Sequence, residues 1–274
     1  MGKDFKYRHG RFEADEIRDG DGYELSGGYP IRCLPTGGRG SDAAATGAAV
    51  LRSDPQVDSA GVDTGYSPAP DTLRAPDVAV GNVPREPGWV KGVPPLAVEY
   101  ADTGQDEADL EVKIRELLEA GTRFIWVVRL IGPRRVEVHE RGQAMRTLQP
   151  GEELLAPGIL KNPVPVEALY DWQVGQEVTL RNLLQRHGYD SLDAVRSAGE
   201  AAGKAEGQAA ARAEGQIEAL KRSILDVLAA RDLVVDDDLR AAIAACQDTA
   251  LLRRWLRQAA TAASAAEALP RTSA

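Results

Sequence analysis

Aromatic, sulfur-bearing and imidazole side chains are scarce in this chain: 5% of 274 residues are Phe, Trp or Tyr, with two Cys, two Met and three His. Cys33 and Cys246 lie far apart with no Cys or His at ligand spacing, which excludes a disulfide framework and a cysteine zinc site. His9, His139 and His187 are equally scattered, which disfavours a histidine-ligated hydrolase. With so few rings, any core must be aliphatic. No apolar run approaches the length needed to span a bilayer, and Met-Gly-Lys-Asp-Phe-Lys-Tyr-Arg-His-Gly has no apolar signal region. The expectation is a cytoplasmic protein with no membrane partner. Net positive charge is missing too: the formal charge is −9, which argues against a general nucleic-acid coat protein.

What is present is an ordinary globular balance, 43% hydrophobic and 27% charged, in a chain long enough for one sizeable domain plus an appendage. The charge is unevenly spread. Before residue 122 there are 22 acidic groups against 13 basic ones, whereas residues 122–149 carry six arginines and two glutamates.

Residues 1–22 are polar and rich in Gly and Asp, a loose lead-in, and order is expected from Tyr23. Residues 41–51, Ala-rich and opened by Ser-Asp, predict a short helix, and 53–75 predict turns and short strands. Two strand-length apolar runs bounded by Pro and Gly follow at 76–81 and 95–101. A helix is predicted over 109–120, with Leu110, Ile114, Leu117 and Leu118 on one face and Gly121 as its stop. Phe124 to Leu130 predicts a third buried strand, and Arg135 to Glu140 alternates like a half-exposed one. This element order is α/β. Residues 23–171 form the main domain, 172–198 a helical connector, and 199–274 an Ala/Gly-rich segment ending in a helical hairpin. In that tail Gly199, Gly203, Gly207, Ala211 and Gly215 recur every four residues, as a helix with small residues on one face or as a flexible linker.

Three polar residues interrupt otherwise apolar elements: Asp77, Glu99 and Lys113. An ionised group inside a buried strand is costly unless a cation or hydrogen-bond donors accompany it. By strand alternation Asp77 shares its face with Ala79 and Gly81, and Glu99 with Ala97 and Ala101, so both acids look onto small neighbours. On the helix, Lys113 falls at about 300° from Leu110, at the edge of the apolar stripe, where its stem can lie on the sheet. Singly, each residue is as readily a strand start, a strand end and a surface lysine. Together, two acids and an ammonium in this order point to metal-assisted hydrolysis.

The segments Pro-Asp-Val-Ala-Val, Leu-Ala-Val-Glu and Lys-Ile-Arg-Glu-Leu-Leu-Glu-Ala-Gly-Thr-Arg-Phe-Ile-Trp-Val-Val resemble the Uma family of restriction endonuclease-like proteins (DUF820-like), within the PD-(D/E)xK nuclease superfamily. The resemblance covers roughly residues 23–171. It implies a restriction-endonuclease-like core, a mixed central sheet flanked by helices, here followed by a C-terminal α-helical extension. It further implies an endonuclease hydrolysing phosphodiesters of nucleic acid, DNA by expectation. Asp77 and Glu99 are its metal-binding and catalytic acids, Lys113 its catalytic lysine, and the Tyr100 backbone carbonyl a further ligand for Mg²⁺, with Mn²⁺ as substitute. The superfamily's usual lysine, two residues beyond the second acid, is replaced by Ala101, so catalysis rests on Lys113. Arg129, Arg134, Arg135, Arg141 and Arg146 are candidates for holding the nucleic-acid backbone, or else line a solvated hairpin. The competing expectation is an inert nuclease-like core that assembles, as a homo-oligomer, through its helical tail.

Overall fold

A computed structural model describes residues 11–269, as two compact units that divide after Leu192. The first ten and last five residues of the expected lead-in and tail, His9 among them, lie outside the described residues.

The first unit opens on a hairpin, β1 (Tyr23–Ser26) with β2 (Tyr29–Arg32), and a helix, α1 (Gly38–Ser53). Short strands β3 (Ala60–Val62) and β4 (Tyr66–Ser67) precede β5 (Val78–Val80), β6 (Val90–Lys91) and β7 (Leu96–Ala101). Helix α2 (Glu107–Ala120) leads to β8 (Phe124–Arg129), β9 (Arg135–Glu140) and β10 (Arg146–Leu148). The unit closes through β11 (Glu153–Leu154), β12 (Val164–Pro165) and helix α3 (Trp172–Arg186). The central sheet has the order β10-β9-β8-β7-β5-β3, and only β7 and β8 run parallel within it. This is the mixed sheet with flanking helices that the sequence predicted, with the C-terminal helical region after it.

Helices cover both sheet faces, so β7 is buried at all six positions instead of alternating. On one face Val78, Val80, Leu96, Val98, Tyr100 and Trp126 join the core that includes Val50 and Leu51 of α1 and Val178 of α3. On the other, Ala97, Ala101, Ile125 and Val127 meet Leu110, Ile114 and Leu117 of α2. Small residues at 97 and 101 let α2 lie close to β7. Gly47 does the same for α1, since a Cβ there would fall on the Tyr100 hydroxyl, which donates to the Leu169 carbonyl at 3.0 Å. Helix α2 starts at Asp106, whose carboxylate accepts the amides of Ala108 and Asp109, and ends at Gly121 with φ 122°.

Two expectations need correction. Order begins before Tyr23: Phe12, Ala14 and Ile17 are buried with Leu25 and Leu73, and the Trp89 indole donates to the carbonyls of Ala14 and Ile17. Apolar residues spaced irregularly among acids gave no periodic signal there. Nor is 172–186 a connector. Asn182 of α3 bonds the Ser53 hydroxyl, and Arg186 donates to the carbonyls of Arg52, Ser53, Asp54 and Val57, binding up the C-terminus of α1.

In the second unit α4 (Leu192–Ala230) is one continuous helix, so the Ala/Gly-rich segment is helical rather than a coil. Its four-residue glycine repeat does not stay on one face, because each step of four advances the helix by roughly 400° and the row winds about 160° between Gly199 and Gly215. Residues 195–216 are exposed. The end of α4 packs with α5 (Asp237–Ala245), α6 (Thr249–Ala259) and α7 (Ala265–Ala268) around Ile224, Leu228, Ile243, Leu252 and Trp255. Two cations from the α4 end close the neighbours' C-termini: Lys221 donates to the Ala244 carbonyl, and Arg231 to those of Ala259 and Ala262. The expected hairpin is thus a four-helix cluster.

Asp54, 1% exposed, supports the first unit by accepting the amides of Gln56, Lys161 and Asn162. D54A strands those donors and is expected to lower stability by about 3 kcal/mol, read from urea unfolding.

Candidate functional site

The site forms where the β5–β7 pairing ends. The last backbone pair is Val78 with Val98, and one residue further the antiparallel register sets Asp77 opposite Glu99. Residues directly opposite each other point to the same face, so the two acids share the α2 side of the sheet. Asp77 is fixed there by accepting the Tyr100 amide at 2.6 Å. Glu99 is 6% exposed, and from above it α2 brings Lys113.

The Lys113 ammonium is held on three sides. It lies 3.0 Å from both Glu99 carboxylate oxygens, 2.7 Å from the Ala75 carbonyl and 3.1 Å from Glu24 Oε1. Its bond to Glu99 is aligned at Oε2, leaving Oε1 a buried oxygen with no directed donor. Glu24, from β1, also takes Arg74 Nη1 at 3.0 Å, and Arg74 Nε reaches Glu116 of α2 at 2.6 Å. Glu24 and Arg74 are the site residues that sequence reading missed. Their partners lie 42 to 89 positions away in sequence, and only Glu24's place in a short strand of mixed pattern hinted at an inward acid.

Burial sets the electrostatics. Desolvation pushes the Glu99 carboxyl up to about 8, with Asp77 and Glu24 adding to the rise and Lys113 opposing it. Burial likewise raises Asp77, against the pull of Lys113 and the Tyr100 amide. For Lys113 burial works against the charge, but Glu99, Glu24 and Asp77 outweigh it and hold the ammonium above its ordinary range. Among the described residues the four acids Asp77, Glu99, Glu24 and Glu116 are accompanied by two cations, Arg74 and Lys113, so the cluster has two more carboxyl groups than cations. Among the described residues no three acid, His or Cys side chains already form a metal cage. Two oxygen donors on one face, one with an undirected buried oxygen, in a cluster with more carboxyl groups than cations, nevertheless fit Mg²⁺, which characteristically uses one or two carboxylates and completes its shell with water.

Glu24, Arg74, Asp77, Glu99 and Lys113 line a cleft of about 820 Å³. At its margin Arg39, from the first turn of α1, pairs with Asp102, which follows β7 directly, and hydrogen bonds from that guanidinium hold the Asp102 carboxyl down to about 2. Tyr100, the expected source of a backbone ligand, turns its ring to the opposite face of the sheet.

The five candidate arginines of the basic island do not gather at the acids. Arg129 bonds Glu107 and Glu137, Arg135 bonds Glu137, and Arg146 lies 3.4 Å from Glu140. Arg134 stacks on the Tyr170 ring at 5.2 Å, and Arg141 is exposed on a separate groove beside α2 and His139. Removing Glu24 leaves Lys113 and Arg74 short of a buried partner, so E24A is expected to cost about 3–5 kcal/mol in denaturant unfolding.

The Uma2 family model, described as "Putative restriction endonuclease", matches residues 11–165. Among curated proteins none matches. The solved structure of "a putative nuclease belonging to DUF820" from Anabaena variabilis is similar with a TM-score of 0.48 and 17% identity, covering 59% of this chain and 98% of that one. The span matched by the family model is more than half of the 274 residues and holds Asp77, Glu99, Lys113, Glu24 and Arg74. The chain therefore belongs to the Uma2 family of restriction endonuclease-like proteins.

Proposed function

We propose that this protein is a metal-dependent endonuclease that hydrolyses phosphodiester bonds, with DNA as its substrate. The carrying observation is that Asp77 and Glu99 converge on one face beneath Lys113, in a cluster where carboxyl groups outnumber cations. Asp77 and Glu99 would hold Mg²⁺, or Mn²⁺ in its place, with the Tyr100 carbonyl as a third donor. When bound, the cation supplies Lewis-acid stabilisation of the charge that develops on the phosphoryl group.

The chain's own residues do the rest. The Tyr100 amide keeps Asp77 turned toward Glu99. Glu24 and the Ala75 carbonyl keep Lys113 over Glu99 even when Glu99 is engaged elsewhere, so one ammonium N–H becomes free to face the phosphate or the attacking water. The ion pairs of Arg129 and Arg135 with Glu107 and Glu137 reduce the pull those arginines exert on a polyanion, which leaves Arg141 as the most available backbone contact of the island. The exposed stretch of α4 supports a second role, self-association into a homo-oligomer through the helical tail. An inert core assembling in that way is the alternative that a cleavage assay eliminates or establishes.

The purified full chain is expected to nick plasmid DNA with Mg²⁺ and not with EDTA. D77N should abolish cation binding in calorimetry together with cleavage, and K113A should lower cleavage by about 10²–10³-fold while retaining the cation. Metal-independent cleavage, or cleavage indifferent to both substitutions, would sink the proposal.

A further inference from the structure

Arg74 is 1% exposed, yet its guanidinium is only two-thirds used. Nε donates to Glu116 and Nη1 to Glu24, and Glu116 is itself fixed by the Ser26 hydroxyl at 2.5 Å. The third nitrogen, Nη2, is buried and has no acceptor. A buried N–H without a partner costs stability, and native structures rarely leave one without reason. A single carboxylate could have taken the Nη1–Nη2 or Nε–Nη2 edge as a bidentate fork. Here two acids from different elements each take one nitrogen instead. The plane of the guanidinium is thereby fixed and one donor nitrogen kept unspent. Arg74 lines the same cleft as Asp77, Glu99 and Lys113, three residues before the first acid.

We propose that Arg74 Nη2 is a substrate-binding donor, taking a non-bridging oxygen of a backbone phosphate of the nucleic acid in the cleft. This rests on the nuclease reading of the site. A phosphodiester offers two non-bridging oxygens, so one can face Asp77 and Glu99 with their cation while the other faces the guanidinium. An acidic cluster that would otherwise repel a polyanion gains in this way a donor whose own charge is neutralised and whose direction is set. Arginine is required because lysine has no planar fork: an ammonium drawn to Glu24 and Glu116 has no rigidly directed N–H left over.

R74K tests this, since it keeps the cation between Glu24 and Glu116 and removes the directed nitrogen. With Ca²⁺ as cation, anisotropy of a fluorescein-labelled DNA oligonucleotide is expected to show about tenfold weaker binding by R74K. Calcium binding by calorimetry and the melting midpoint should stay near those of the parent. Unchanged DNA affinity in a folded R74K overturns the inference. Should the single variant not fold, R74K/E116Q, which also removes one of the two carboxylates, carries the same comparison against E116Q. A crystal structure of the parent chain with Ca²⁺ and a short DNA gives a readout free of any substitution: a phosphate oxygen within hydrogen-bond distance of Nη2 supports the assignment, and phosphates seated only elsewhere refute it. DNA binding that R74K weakens, in a parent that cleaves nothing, leaves the phosphate site standing and removes the catalytic reading; cleavage by a parent whose R74K variant binds DNA equally does the reverse.

Discussion

The ammonium of Lys113 is the charge around which the first unit is arranged. It joins α2 to the carboxylate of β7, to a carboxylate of the β1 hairpin and to the backbone at Ala75 just ahead of β5. Four pieces of chain that are remote in sequence are thereby fixed to one point. The apolar stripe of Leu110, Ile114 and Leu117 supplies most of the adhesion between α2 and the sheet, but apolar contact is non-directional. Register along the sheet comes from the ion contacts, because a shift of α2 by one turn would carry Lys113 away from Glu99 and Glu116 away from Arg74.

Such a network is a poor way to gain stability alone. Desolvating two charges takes back most of what their attraction returns, and hydrophobic replacements of equal volume often do as well. What favours the proposed chemistry as the reason for this one is its imbalance. By contrast the group formed by Arg129, Arg135, Glu137 and Glu107, on β8, β9 and the start of α2, has as many carboxylates as cations. Around Lys113 the carboxylates outnumber the cations, Glu99 is held far from its ordinary ionisation, and Arg74 keeps a donor in reserve. Of the residues in this cluster, Glu24, Arg74, Asp77, Glu99 and Lys113 line the cleft.

The alternation of small and large residues in two strands set each acid on the small-residue face of its own strand, and the β5–β7 register brings those two faces together. Helix periodicity placed Lys113 at the edge of the stripe, which is where a side chain can pass over Leu110 and Ile114 to the sheet. Those are local signals with periods of two and 3.6 residues. Glu24 and Arg74 carried no such signal, since what makes them site residues is partnership across 50 positions. The role of α3 was hidden for the same reason: Asn182 and Arg186 look like surface residues of an amphipathic helix until α1 ends beside them. In the arginine island composition misled, because a count of charges does not show that Glu107 and Glu137 neutralise Arg129. In α4 a repeat of four makes no lasting face, because it drifts by about 40° per step along the helix.

Ala101 is the position at which the two views meet. In sequence it is a missing lysine, two residues past the second acid. In the fold its Cβ lies under α2, in contact distance of the cluster formed by Leu110 and Ile114, and the residue is 4% exposed. A lysine there would have to run its stem beneath the helix, and the helix could come down on β7 only by giving way. Alanine lets α2 approach, and that approach is what carries Lys113 to within 3.0 Å of Glu99. The small residue on the strand and the cation on the helix are therefore one arrangement: with α2 seated this closely on β7, the ammonium has to come from above the sheet.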